Sequence, residues 1–324
     1  EITCRDWISD VCSSDLFHRG MGIACYNKGE FGESKKHFEI LLDHLRNKKQ
    51  SVAEELPLMA CVHIATGEHE EAEKLLKEAL ELARNEKNKR LQASIYNSFA
   101  EIDFMKGYWP NALNYYLRAF DILKNSDDQR LKAQIAGGIA RISTHKGKTR
   151  EAYRYLEEAL YFCHITGDRE LMVMVEMDLG LLFEYQGQIT RAKEIYQECL
   201  EIAQDLDMKV GQAHAYMHLG RLSSLHEKYP EATEFLKQSM DLFNKLQIKW
   251  AVAECCLFLG QCYTSQGEYE DALRSLQYAR KILTDLNITW RMMFIYIHLA
   301  EVYRKTNKIE KANKLLNKAL QSAK

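Results

Sequence analysis

Proline is scarce, three residues in 324, and no Gly/Ser-rich linker or low-complexity tract interrupts the chain. That argues against a string of separate domains. No apolar run reaches the length needed to cross a bilayer. Neither sign of charge dominates: 44 Lys and Arg stand against 46 Asp and Glu, net −2. General binding to nucleic acid or to an anionic membrane surface is therefore not expected. His-Glu-x-x-His and Cys-x-x-Cys are both missing, so no metal site is expected. No Gly-x-Ser-x-Gly marks a nucleophile. Gly147-Lys148-Thr149 ends like a phosphate-binding loop, but the Gly that such a loop needs is Ile142. The nine cysteines are scattered without a disulfide framework; Cys199 and Cys256 fall at core-type positions, and Cys255, Cys256 and Cys262 share one helix as core thiols. Reduced thiols place the chain in the cytoplasm. Neither a catalytic set nor a cofactor is expected.

What is abundant is self-similarity. Gly followed five residues later by Ala recurs at Gly67/Ala72, Gly107/Ala112, Gly147/Ala152, Gly187/Ala192 and Gly267/Ala272, in steps of 40 residues or twice that. The same register passes through Glu227/Ala232 and Asn307/Ala312, and a looser first copy sits at Gly29/Ser34. A fixed period marks an array of one repeated unit.

The unit reads as two helices around a tight turn. Seven residues before the turn stands a small residue: Gly22, Ala60, Ala100, Ala140, Gly180, Gly220, Gly260 or Ala300. A small side chain lets the two helices approach closely. The second helix carries a large apolar residue nine positions after the turn (Phe38, Leu76, Tyr116, Leu156, Tyr196, Leu236, Leu276, Leu316) and a mostly small one three further on. Offsets of 5, 9 and 12 line one helical face. Gly at the turn accommodates a left-handed conformation; Asn307 tolerates it, and Glu227 does so at a cost of about 1 kcal/mol. Pro110 and Pro230 fall in the first turn of second helices, where Pro is accepted. Pro57 lies in a first helix and should kink it or delay its start. Tyr115, Tyr116, Tyr153, Tyr155, Tyr196, Phe235 and Tyr278 read as packing between helices.

This pattern resembles the tetratricopeptide repeat from Phe17 to Lys324. The period of 40 exceeds the family's usual 34, and the Pro near the end of its second helix is missing. The longer unit is similar to that of kinesin light chains, of Gα-binding adaptors of the LGN type and of bacterial Rap-type peptide sensors. The resemblance implies an all-α solenoid, a right-handed superhelix of about eight helix-turn-helix repeats: about 17–46, 50–86, 89–126, 129–166, 168–206, 208–246, 248–286 and 288–324. Residues 1–16 do not fit the unit. They are expected to be a non-native or disordered leader, since RDWISDVCSSDL resembles translated sequencing-adapter read-through and the chain opens on Glu1 rather than Met.

The function the resemblance implies is a non-enzymatic scaffold that binds a peptide or protein segment in a concave groove lined by the first helices. The implied groove residues are Asn97, Glu101, Gln134, Arg141, His145, Met177, His214, Arg221, Gln261 and Arg304. Amide and guanidinium groups can bond an extended backbone, and Met adapts to varied apolar side chains. The plainer reading of the same residues is a solvated helix face. A second functional reading is the sensor half of a larger signalling protein, Rap-like or joined to a kinase, cyclase or transcription regulator.

Overall fold

The computed structural model describes residues 14–322; residues 1–13, most of the expected leader, lie outside the described residues. The first helix begins at Ser14, three residues before the expected start of the array. Among the described residues there are sixteen helices and no strand, in eight pairs: α1 (Ser14–Lys28) with α2 (Phe31–Asn47), α3 (Glu55–Thr66) with α4 (His69–Asn85), α5 (Lys89–Lys106) with α6 (Trp109–Ile122), α7 (Gln129–His145) with α8 (Thr149–Thr166), α9 (Arg169–Tyr185) with α10 (Ile189–Asp205), α11 (Lys209–Leu225) with α12 (Tyr229–Lys245), α13 (Lys249–Gln266) with α14 (Tyr269–Asp285), and α15 (Met292–Lys305) with α16 (Ile309–Ser322). No helix is long and apolar enough to cross a membrane among the described residues.

Each pair closes as its residues dictate. Gly67, Gly107 and Gly267 cap their first helices in the left-handed conformation, and Glu227 (φ 60°) and Asn307 (φ 59°) adopt it where Gly is missing. The next N–H then reaches back five residues, as Glu68 does to the His63 carbonyl (2.7 Å) and Lys228 to that of Ser223 (2.9 Å). Five of the seven loops between units use the same closure. Lys49, Lys87, Asp207, Gln247 and Asn287 all have positive φ. Pro57 delays its helix: α3 starts at Glu55 and has 12 residues, with Pro57 in its first turn. Asn88, Asp128 and Asp168 cap α5, α7 and α9 by accepting from the N–H groups of Leu91, Leu131 and Leu171.

In the units whose small residue is Gly, it meets the large one, whereas Leu316 of the last unit is exposed. A Cβ on Gly180 would lie 2.5 Å from the Tyr196 ring, and one on Gly260 2.5 Å from Leu276. Tyr116, Tyr196, Leu76, Leu236 and Leu276 are fully buried. Of the second-helix aromatics expected to pack between helices, Tyr153 and Tyr278 are exposed. Cys25, Cys163, Cys199, Cys255, Cys256 and Cys262 are buried free thiols.

Every first helix also touches the first helix of the next unit, from α1 with α3 to α13 with α15, while second helices pack chiefly on the flanking first helices. First helices therefore line the tighter, concave side. The stack curves far enough to meet itself. Leu246 packs on Gly29, Leu286 on Gly67 and Trp290 on Gly107, so units one to three face units six to eight.

Candidate functional site

The lumen enclosed by the first helices carries a ladder of ion pairs from unit to unit. Arg141 on α7 donates to Glu101 on α5 (2.9 Å) and lies 3.4 Å from Asp178 on α9. Arg221 on α11 donates to Glu184 on α9 (2.7 Å). Arg291, at the start of α15, pairs with Glu254 on α13 (2.6 Å). Buried tyrosines tie this ladder to the core: Tyr116 donates to Glu101 and Tyr196 to Glu184. Pairs with this little exposure rest on mutual neutralisation, because removing one partner leaves the other half-desolvated.

Local electrostatics follow from burial. Burial disfavours the Arg141 charge, but Glu101 and Asp178 outweigh it and hold the guanidinium protonated. Burial pushes the Asp178 carboxyl up to about 7 even beside Arg141. Burial also works against the Glu254 carboxylate, yet Arg291 holds it below the usual range. Burial lowers His145 to about 4, helped by Arg291 from the opposite turn of the superhelix. His214 falls to about 4 and His218 well below its ordinary value, again mainly through burial.

Five of the ten expected groove residues converge here. Arg141 and Arg221 are ladder members, and His145 and His214 lie within electrostatic reach of both turns. His145 hydrogen-bonds the Tyr185 hydroxyl (3.1 Å) and stacks on Trp109. His214 packs on Phe243 and Trp250. Glu101 joins as the acceptor of Arg141. Asn97 is half-buried on α5 with its Oδ1 unpartnered, and Gln134 is half-buried on α7. Gln261 pairs with His298 (2.6 Å), three units away from Arg141. Arg304 is exposed in the last turn of α15. Met177 is 3 % exposed and packs in the core with Val173 and Tyr196.

Sequence reasoning missed Asp178, His218, Trp109, Trp250, Trp290 and Arg291. A signal for some of them exists. Arg221–Glu184 and Gln261–His298 are each 37 residues apart, as are Arg141–Asp178 and Glu254–Arg291. That spacing is one period less one helical turn, and it sets complementary groups face to face on neighbouring first helices.

Fold and lining together define an all-α solenoid with a polar concave face. The tetratricopeptide repeat signature matches residues 53–125, 131–205, 171–245, 255–279 and 295–324, and the chain belongs to the tetratricopeptide repeat family. No curated protein sequence matches. Among solved structures, the chain is similar to NprR in complex with its cognate peptide NprX (15 % identity, TM-score 0.69, covering 90 % of this chain and 86 % of that one). It is also similar to a Rap protein complexed with Competence and Sporulation Factor (14 %, TM-score 0.65, covering 95 % and 97 %). A third is a signal transduction ATPase with a tetratricopeptide repeat sensor from Pyrococcus horikoshii (20 %, TM-score 0.55, covering 97 % and 48 %). At these identities the likeness is one of fold.

Proposed function

We propose that this chain is a non-enzymatic interaction scaffold that holds an extended peptide or protein segment in the lumen. The observation that carries this reading is a set of buried polar atoms left over on the first helices. Asn97 Oδ1 and Arg221 Nε have no hydrogen-bond partner, and Arg141 Nε and His298 Nδ1 have only a carboxylate beyond hydrogen-bond geometry, Asp178 at 3.4 Å and Glu301 at 3.6 Å. Buried polar groups are normally satisfied, and an extended backbone offers both donors and acceptors to such a row. Two of the similar folds are described with a bound peptide or factor. The sensor array of the third supports a second reading, in which this array regulates a larger signalling protein.

The test is selection of peptides from a random library on the full chain, followed by titration. Arg221→Lys keeps a charge for Glu184 and removes the Nε donor. Affinity should fall about tenfold or more with Arg221→Lys and with Asn97→Ala, and should hold with Tyr161→Ala on an exposed second-helix face. Selected peptides whose affinity ignores both lumen variants would sink the reading.

A further inference from the structure

The turn glycines form two groups that the repeat pattern does not separate. At Gly147, Gly187 and Gly267 a Cβ would meet nothing within 4 Å. At Gly67 it would lie 2.7 Å from Leu286 and at Gly107 2.6 Å from Trp290, and Gly29 is closed off by Leu246 in the same way. All six have positive φ. In units one to three the glycine is thus required twice, for its turn and as the socket for a side chain about five units further along.

Trp290 makes the most developed of these contacts. Its indole N–H donates to the Met105 carbonyl (2.9 Å), 185 residues away. Its ring meets Trp109 edge-on at 5.6 Å, and the Arg291 guanidinium lies over it at 4.7 Å. Both neighbours reach the lumen: Trp109 stacks on His145, and Arg291 pairs with Glu254 and covers Trp250. Three of the chain's four tryptophans meet here. The seam is otherwise thin. An open cleft of about 850 Å³, lined by Glu68, Lys106, Asn244, Lys281 and Leu286 among others, separates unit two from units six and seven beside the Gly67 socket. Closure therefore rests on point contacts rather than on a continuous packed face, and few contacts have to break for it to open.

We infer that this seam is a latch. Closed, it completes the lumen wall, because Trp290 and Arg291 bring units seven and eight against His145 and Tyr185. Open, it gives a chain-like ligand access from the side rather than only along the superhelix axis. The latch holds whatever occupies the lumen, so it does not depend on the ligand being a peptide.

Small-angle scattering of the full chain tests it. Gly107→Ala and Gly147→Ala impose the same left-handed strain, but only the first pushes against Trp290. Gly107→Ala and Trp290→Ala should shift the radius of gyration upward with far-UV circular dichroism unchanged, and Gly147→Ala should match the parent. Acrylamide should quench tryptophan emission more strongly in Gly107→Ala than in Gly147→Ala. If Trp290→Ala loses helix content, Trp290→Phe takes its place; it removes the bond to Met105 and keeps an apolar ring. Equal dimensions and equal quenching for Gly107→Ala and Gly147→Ala would overturn the latch, as would expansion of Gly147→Ala.

Discussion

Two adjacent glycines on α7 show how far a single residue's role depends on what it faces. A Cβ on Gly137 would make ordinary contacts, 3.8 Å from Val175 and 3.9 Å from Asp178. On Gly138 it would collide with the ring and hydroxyl of Tyr116, which is fully buried and donates to Glu101. Gly137→Ala should raise stability by up to about 1 kcal/mol, because Ala restricts the unfolded chain and favours helix. Gly138→Ala should lower it by about 1–3 kcal/mol through overpacking, since the ring cannot retreat. Urea titrations at unchanged slope check both; shifts of the same sign would contradict this account of the α7 packing. The same logic made the intra-unit contacts legible in the sequence. The small-residue row at Gly180, Gly220 and Gly260 and the large row at Tyr196, Leu236 and Leu276 are complementary in size, and they meet in space.

Helices and their connections were legible to different degrees. The first turn of each unit is written by Gly, and its copies at Glu227 and Asn307 could be placed by register alone. Five of the seven loops between units also turn through a left-handed residue but use Lys49, Lys87, Asp207, Gln247 and Asn287, which carry no compositional mark; only Gly167 does. The ladder was half hidden for a related reason. Arg141 and Arg221 stood out as groove residues, but their partners lie 37 or 40 positions away on another helix. Ligand donors and ladder members look alike until neighbouring first helices are set side by side. The tryptophan seam was not legible at all, since it joins elements 185 residues apart through the curvature of the whole stack. Where Gly is missing from a turn, the strain should be recoverable. Glu227 is exposed with φ 60°, so Glu227→Gly should raise stability by about 0.5–1 kcal/mol, relief of the left-handed strain exceeding the entropic cost of Gly. A thermal melt measures it, and an unchanged or lower midpoint would show that Glu227 is not strained.

The whole molecule behaves as more than a sum of neighbouring units, because its curvature sets two turns against one another and partly encloses the groups between them. The histidines record this. Burial, helped by cations across the lumen or nearby, lowers His145 and His214 to about 4, and it lowers His218 well below its ordinary value. His69, beside the outer cleft, is also lowered to about 4. The contribution of a His lowered in this way is fully present above its unfolded value of 6.5 and is lost as pH falls toward 4. Asp178 and Asp103 act in the opposite sense. Burial raises them to about 7 and about 6, so their contribution is fully present below 3.8 and is lost as pH rises through those values. Between pH 7.5 and 5 each histidine removes up to about 2 kcal/mol, and the two carboxyls return less in total than four histidines take. The urea midpoint should therefore be lower at pH 5 than at pH 7.5. A midpoint that holds or rises would mean that these imidazoles are hydrated rather than enclosed. His145→Gln separates the lumen from the rest: it cannot take up the proton, so the loss between pH 7.5 and 5 should shrink. If His145 is dried by closure of the seam, Trp290→Ala should shrink it too, because an opened lumen returns the ring to water.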